Sequence, residues 1–424
     1  MKEKDVVRVT AHGLGQGGQG VARIGGFVLF IQRALPGDTL ELRVKSLKKR
    51  YGSAEIVKIL KPSGNRRDPR CKAFEAGCDG CQWLHLDYAE QLKEKASIIR
   101  ESFKRIGKIN LHVDAVVGAA HRYDCRNKFS LSRDPAGTLG FCIEKSIDVL
   151  DLEDCRMETA SNLKAYRALK TLPLPQGVTQ AHFRSGTAGE VSLCLYAKSV
   201  KETHLRDLLR PLLRADIITG AALRMPGRFT HLCGGQSVTA EVGGFNYSVP
   251  IDAFFQTNYE QAGKLLTLVR QAIEPGPGDR LLDLYCGLGF FTLDCTRAGC
   301  RAVGVESNPV SVREAGRMAQ SSGMEVSFVH SDVEAYLRKL GGRKGLFSKI
   351  ILDPPRAGCG KEVAGAIAAL GPEKIVYVSC AADTLARDCM SFFENGYRVT
   401  GCTPVDMFPQ TYHAETVTTL VRVN

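Results

Sequence analysis

The chain has 424 residues, 44% hydrophobic and 24% charged, with a formal net charge of +12 and 15 cysteines. A chain of this length accommodates about three domains with cores of their own. No apolar run approaches the roughly 18 residues of a membrane span, and the opening Met1-Lys-Glu-Lys-Asp-Val-Val does not resemble a secretory signal, which sets aside collagen-like, disordered and integral-membrane classes.

The first segment alternates apolar and polar residues over Val6–Val9, Val21–Phe30, Thr39–Leu47 and Ala54–Leu60. Turn signals at Gly13–Gly20, Leu35-Pro-Gly-Asp38 and Tyr51-Gly-Ser53 separate these runs, and the pattern predicts a small β-barrel over residues 1–61. Residues 1–70 carry 15 basic and 6 acidic side chains, most of the excess positive charge of the whole chain. A basic module of this kind suits docking on a polyanion, nucleic acid above all. Gly15-Gln-Gly-Gly-Gln-Gly20 has the spacing of a dinucleotide fingerprint, but such a fingerprint opens a helix and this one runs on into a strand. It is read as a hairpin.

A polar linker, Lys61–Arg70, leads into Cys71. Residues 62–250 have a mixed α+β pattern, with a helix over Tyr88–Ile106 and alternation over Val191–Tyr196. Cys71, Cys78, Cys81 and Cys155 stand out there, because Cys78-Asp-Gly-Cys81 joined by two further thiols suits tetrahedral zinc or a four-iron cluster. Spacing alone does not separate the two. The absence of a leader fits reduced thiols in a cytosolic setting rather than a disulfide framework.

Residues 251–424 hold a regular alternation. Strands are predicted over Arg280–Tyr285, Ala302–Glu306, Val326–His330, Lys349–Leu352 and Lys374–Ser379, with helices over Val310–Ser321, Glu362–Leu370 and Thr384–Glu394, and two final strands over Tyr397–Thr400 and Thr416–Val421. This is a Rossmann-like doubly wound sheet whose sites lie at the carboxyl ends of its strands. Leu281-Leu-Asp-Leu-Tyr-Cys-Gly-Leu-Gly289 supplies a strand and a Gly-x-Gly turn, and Glu306 ends the second strand where a carboxylate accepts hydrogen bonds from ribose hydroxyls. With no third glycine and no P-loop lysine, an adenosyl ligand without pyrophosphate fits best, which points to S-adenosylmethionine. Asp332 ends the third strand, within reach of an adenine amino group. Asp353 and Cys380 follow neighbouring strands and are expected to face one crevice.

Asp353-Pro-Pro-Arg356, Val378-Ser-Cys380 followed by Thr384-Leu-Ala-Arg-Asp388, Phe408-Pro-Gln-Thr-Tyr-His-Ala-Glu415 and Phe254-Phe-Gln-Thr-Asn258 together resemble the bacterial RNA 5-methyluridine methyltransferase family. The resemblance implies a class I methyltransferase in which Cys380 is the nucleophile and Glu415 the base. It also implies that Gln256, Tyr285, Gly287, Gly289 and Glu306 line the S-adenosylmethionine pocket, with Asp353 at the junction of cofactor and target base. Two departures stand out: Phe290 occupies a place where a small or polar residue is usual, and Ala381-Ala-Asp383 replaces the commoner asparagine and proline after the nucleophile. The four cysteines with Gln82–His85 resemble the iron-sulfur segment of the ribosomal RNA members, implying a [4Fe-4S] cluster, and the barrel resembles a TRAM domain. That layout implies a cytoplasmic enzyme acting on a uridine of 23S rRNA flipped out of its stack, with no obligate protein partner; the alternatives are the same chemistry on a tRNA uridine, or a non-catalytic iron-sulfur RNA-binding or assembly protein. Arg126 matches a family Arg-Asn-Lys segment that contacts RNA or an acidic neighbour, and His413 is either a site group or one that orients its loop. The remaining cysteines read as packing residues.

Overall fold

The computed structural model describes residues 1–143 and 148–423. At the N-terminus a six-stranded sheet runs in the order Val6–Thr10, Thr39–Leu47, Tyr51–Lys61, Phe27–Ile31, Gly20–Ile24, Gly13–Leu14. Period-two patterning turns Leu40 and Leu42 inward with Val9, Leu29 and Ile31 to make its core. The run Val21–Phe30, read as one strand, is two. Ile24 pairs with Phe27 across Gly25-Gly26, whose φ angles of 54° and 84° suit a two-residue hairpin turn.

The middle of the chain builds a second sheet of seven strands, in the order Arg228–Gly234, Gly220–Met225, Val191–Ala197, Val178–Ser185, Lys128–Arg133, Leu139–Cys142, Val149–Asp151. Helices Ala160–Lys170 and Glu202–Arg214 cover it through Leu163, Tyr166, Leu205 and Leu209. The hairpin of Ser237–Val242 and Phe245–Pro250 packs instead on the C-terminal core, through Val238, Tyr247 and Val249.

The C-terminal sheet has the order Val326–His330, Arg301–Glu306, Arg280–Leu284, Lys349–Leu352, Lys374–Ser379, Glu415–Arg422, Tyr397–Val405. The first five strands are parallel, Glu415–Arg422 runs antiparallel to them, and Tyr397–Val405 pairs antiparallel with Glu415–Arg422. Strand order reverses beside Arg280–Leu284, so the crevice outside its carboxyl end is the natural ligand position. Among the described residues no helix is long and apolar enough to cross a membrane.

Helix Tyr88–Arg105 starts at Asp87, whose carboxylate accepts from the Ala89 amide, and ends in Lys104 and Arg105. It belongs to the middle of the chain, yet Ala96, Ile99 and Phe103 pack on the C-terminal core with Leu385 and Phe392. The same helix holds the loop before the last strand. Lys95, wholly buried, pairs with Asp406 and donates to the Phe408 carbonyl at 3.1 Å, while the Tyr88 hydroxyl donates to the other Asp406 oxygen at 2.6 Å. The Gln91 amide donates to Gln410 Oε1 at 2.9 Å and accepts from the Gln410 N–H at 3.1 Å. Residues 88, 91 and 95 are one helical face, which is why three grips fall on one segment.

Replacing Lys95 with Met strands a buried carboxylate, so urea unfolding should show a loss of about 3–5 kcal/mol. Adding Asp406→Leu should recover most of that loss; a lone Lys95→Met as stable as wild type would exclude a structural role for the pair.

Candidate active site

The turn after Arg280–Leu284 is built for close approach. Tyr285 takes φ +63°, a left-handed backbone rare for an aromatic residue, and Gly287 and Gly289 follow at +55° and +76°. A Cβ on Gly289 would lie 2.7 Å from the Phe328 ring, whereas one on Gly287 would meet nothing within 4 Å. Space is therefore open above Gly287. Glu306 accepts from the Gly287 N–H at 3.1 Å and from the Asn308 N–H at 2.8 Å, which fixes its half-buried carboxylate at the lip of the turn. Asp332 is exposed and caps helix Val333–Leu340 by accepting from the Glu334 N–H at 2.9 Å, so one of its oxygens already has a structural duty.

Phe290, odd in the sequence, has a packing role. Its ring meets Phe255 at 5.5 Å and Tyr247 at 5.7 Å, in contact with the Phe254–Asn258 segment that carries buried Gln256. Asn127 donates to the Gln256 carbonyl at 3.0 Å and holds that segment from the other side.

At the strand ends three carboxylates lie in buried surroundings. Asp283 is fully buried and accepts from the Thr292 hydroxyl at 2.5 Å, while its Oδ1 has no hydrogen-bond partner. Burial lifts its pKa to about 7. Asp353 is lifted to about 7 by burial and by the Asp283 charge. Glu415 opens the strand Glu415–Arg422, and burial followed by the Asp353 charge holds its pKa well above the usual carboxylate range. Cys380, half-buried just past Lys374–Ser379, is pushed up to about 11 by burial first, then by Glu415, with Arg356 opposing. Arg356 thus faces both the thiol and Glu415, and its Nη2 lies 3.5 Å from His413 Nε2. Burial and Arg356 lower the pKa of His413 to about 4, so the ring is neutral.

A half-open cavity lies over Cys380. Arg356, Ala381, Asp383, Tyr412 and His413 line it from the C-terminal sheet, Lys95, Ile98, Ile99 and Ser102 from helix Tyr88–Arg105, and Gln16 from the barrel. Sequence reading missed Arg356 as a charge partner and the contributions of Gln16, Lys95 and Ser102. Arg356 stood in the quoted motif; the others carry no local signal.

Cys71, Cys78, Cys81 and Cys155 line a second pocket with Phe74, Phe141, Leu152 and Met157. Burial raises the thiols of Cys78, Cys81 and Cys155, the last two to about 11 and about 12. The Gly80 N–H donates to Cys78 Sγ at 3.4 Å, and Arg126 Nη2 to Cys81 Sγ at 3.9 Å. Arg126 Nε is buried without a hydrogen-bond partner. Among the described residues no group of three or more His, Cys, Asp or Glu side chains is gathered to hold a metal ion, so the four thiols share a pocket without converging on one point.

The C-terminal part is a doubly wound sheet with a Gly-x-Gly turn, an acidic residue at the end of the second strand and a cysteine just past a neighbouring strand end. The family model of tRNA (uracil-5-)-methyltransferases matches residues 87–423, and that of the TRAM domain matches residues 2–57. The chain belongs to that RNA (uracil-5-)-methyltransferase family, whose members are S-adenosylmethionine-dependent enzymes, and carries a TRAM domain at its N-terminus. It is 32% identical to an uncharacterized RNA methyltransferase of Gloeobacter violaceus, over 98% of this chain and 96% of the relative. A similar relative from Thermotoga maritima is 31% identical over 96% and 97%. Among solved structures, the tRNA (uracil-54, C5)-methyltransferase of Pyrococcus abyssi in complex with S-adenosyl-L-homocysteine superposes with a TM-score of 0.77 at 25% identity, covering 98% of this chain and 99% of that one.

Asp283 keeps its proton to about pH 7 when folded, against an ordinary value of 3.8. The folded state therefore loses stability relative to the unfolded chain as pH rises through that window. Asp283→Asn should resist this loss, so its urea midpoint should gain on wild type between pH 5 and 8 and converge with it at lower pH. Parallel pH profiles for the two proteins would contradict the assignment.

Proposed function

We propose that the chain transfers a methyl group to carbon 5 of a uridine in RNA through a covalent Cys380–uracil adduct. The observation that supports this reading is the placing of Cys380 and Arg356 on the wall of one cavity, with the Glu415 and Asp353 carboxylates near enough to act on the thiol. S-adenosylmethionine, when bound, supplies an electrophilic methyl group. The open space above Gly287, the Glu306 carboxylate at its lip and buried Gln256 suit the adenosyl and methionine parts, with Tyr285, Gly289, Asp332 and Asp353 completing the pocket.

Carbon 5 of uracil is a poor nucleophile. Addition of the Cys380 thiolate to carbon 6 gives an enolate, whose electron pair at carbon 5 would take the methyl group as its bond to the sulfonium sulfur breaks and leaves a neutral thioether. Glu415 then removes the carbon 5 proton; the electrons of that C–H bond restore the double bond and expel the thiolate. A raised pKa makes Glu415 a stronger base than an exposed carboxylate. Arg356 favours the thiolate against the surrounding carboxylates. The cavity lies inside a three-sided wall, so the base has to leave its stack to enter, which favours a loop target.

The four-cysteine pocket is read as the seat of a [4Fe-4S] cluster. What supports this reading is that all four thiols line one pocket, as the four ligands of such a cluster must. Buried Arg126 beside Cys81 would balance the negative charge of such a group. Barrel and cysteine pocket together favour 23S rRNA in the cytoplasm as the setting. The second reading, the same chemistry on tRNA, is favoured by the likeness to the Pyrococcus abyssi tRNA enzyme over nearly the whole chain.

Methyl transfer to 23S rRNA fragments and to tRNA transcripts, with 5-methyluridine mapped by mass spectrometry, separates the two. Cys380→Ala should abolish transfer on either RNA; retained activity would sink the covalent mechanism. Glu415→Gln should accumulate a protein–RNA adduct stable to denaturing gels, and rapid release of product would remove Glu415 as the base. Protein purified without oxygen should contain about four iron atoms per chain, and Cys78→Ser should lose them. A zinc-loaded, iron-free wild type would overturn the cluster.

A further inference from the structure

The glycine-rich loop of the barrel, read in the sequence as a mere hairpin, reaches the cavity of the nucleophile. Gly15 donates to the Gln19 carbonyl at 2.7 Å and Gly18 to the Gly15 carbonyl at 2.9 Å, a tight turn that leaves Gln16 at its tip. Two aromatic residues fix the loop from outside the barrel. The Trp83 indole N–H donates to the Gly18 carbonyl at 2.9 Å, and a Cβ on Gly18, at φ +78°, would lie 2.8 Å from the Tyr412 ring. Only glycine permits that approach.

The orientation of the Gln16 amide follows from its partners. Its Nε2 faces Asp383 Oδ1 and lies 2.9 Å from Ser102 Oγ. An ionised carboxylate only accepts, and the Ser102 hydroxyl spends its hydrogen on the Ile98 carbonyl at 2.9 Å. Both neighbours therefore require the NH₂ side of the amide, which uses both its hydrogens on them. The amide oxygen is left without a hydrogen-bond partner among the described residues, on a side chain that lines the same cavity as Cys380.

An acceptor held in this way calls for a donor. In uracil, N3–H is the one donor of the ring edge, flanked by two carbonyl oxygens, and N3 stands across the ring from carbon 6. A base whose carbon 6 meets Cys380 turns N3 toward a wall remote from the nucleophile. Cytosine presents a lone pair at N3, which repels a fixed acceptor. We propose that Gln16 of the barrel is a specificity-determining residue whose Oε1 accepts a hydrogen bond from N3–H of the target uridine, with Asp383 and Ser102 fixing its amide. The barrel then has two duties, holding RNA and reading the base. The inference rests on the uridine-methylating reading above.

The test uses the full-length enzyme and two RNA hairpins, one with the mapped target uridine and one with 3-deazauridine there, which replaces N3–H by C–H. Wild type should favour uridine over 3-deazauridine in kcat/KM by about tenfold to a hundredfold, beyond the intrinsic difference between the two rings. Gln16→Ala should lose a similar factor on uridine while its rate on 3-deazauridine stays close to wild type, so that the preference collapses. Equal losses on both hairpins would reduce Gln16 to a contact between barrel and sheet, and no loss on either would remove it from the site; either result overturns the proposal. A wild type that transfers methyl to neither hairpin, nor to full-length RNA, refutes the uridine reading itself, a result distinct from any difference between wild type and variant.

Discussion

The end of this molecule that carries Cys380 and Glu415 depends on a charge pair that belongs to two different parts of the chain. Lys95 and Asp406 are both without exposed side-chain surface, and the Tyr88 hydroxyl and the Phe408 carbonyl complete their hydrogen bonding. A buried pair contributes little net stability compared with well-packed apolar side chains, but it is costly to break and strict about geometry. Here it sets where segment 406–410 lies, and hence where the strand that opens with Glu415 begins. A helix from the middle of the chain thereby fixes a residue of the last strand.

Electrostatics at the strand ends work against ionisation. Asp283, Asp353 and Glu415 are each raised by burial first and also by a neighbouring carboxylate. The Cys380 thiol is raised with them, and Arg356 is the cation that opposes this. Such a site keeps its thiol protonated in free protein, where a thiolate would be exposed to oxidation and stray electrophiles.

Much of this was legible locally. Hydrophobic periodicity gave the order of strands and helices in the C-terminal half, because each parallel strand is a short apolar run and each helix carries one apolar face. The residues at the ends of those runs, Asp353, Cys380 and Glu306, fell at the crevice for the same reason. Phe290 was read as a departure in a cofactor turn; contact with Tyr247 and Phe255, residues 43 and 35 positions earlier, gives it a packing role instead. The Gly15–Gly20 loop was rightly separated from dinucleotide sites, since strand Gly20–Ile24 follows it and no helix does. Its position beside Asp383 left no trace in the sequence around it.

The sequence by itself determined which reactive groups stand at the strand ends, since a thiol, a carboxylate and a glycine turn are properties of residue type and of strand-end spacing. It also determined that the N-terminal module is basic. Tertiary structure alone decided how those groups act. The pKa values of Asp353, Cys380 and Glu415 arise from burial and from mutual distance through space. The wall of the cavity comes from three stretches far apart in the chain, represented by Gln16, Ser102 and Asp383. Neither burial nor contact across hundreds of residues is encoded in a local pattern, because both depend on which surfaces exclude water from one another once the whole chain has packed.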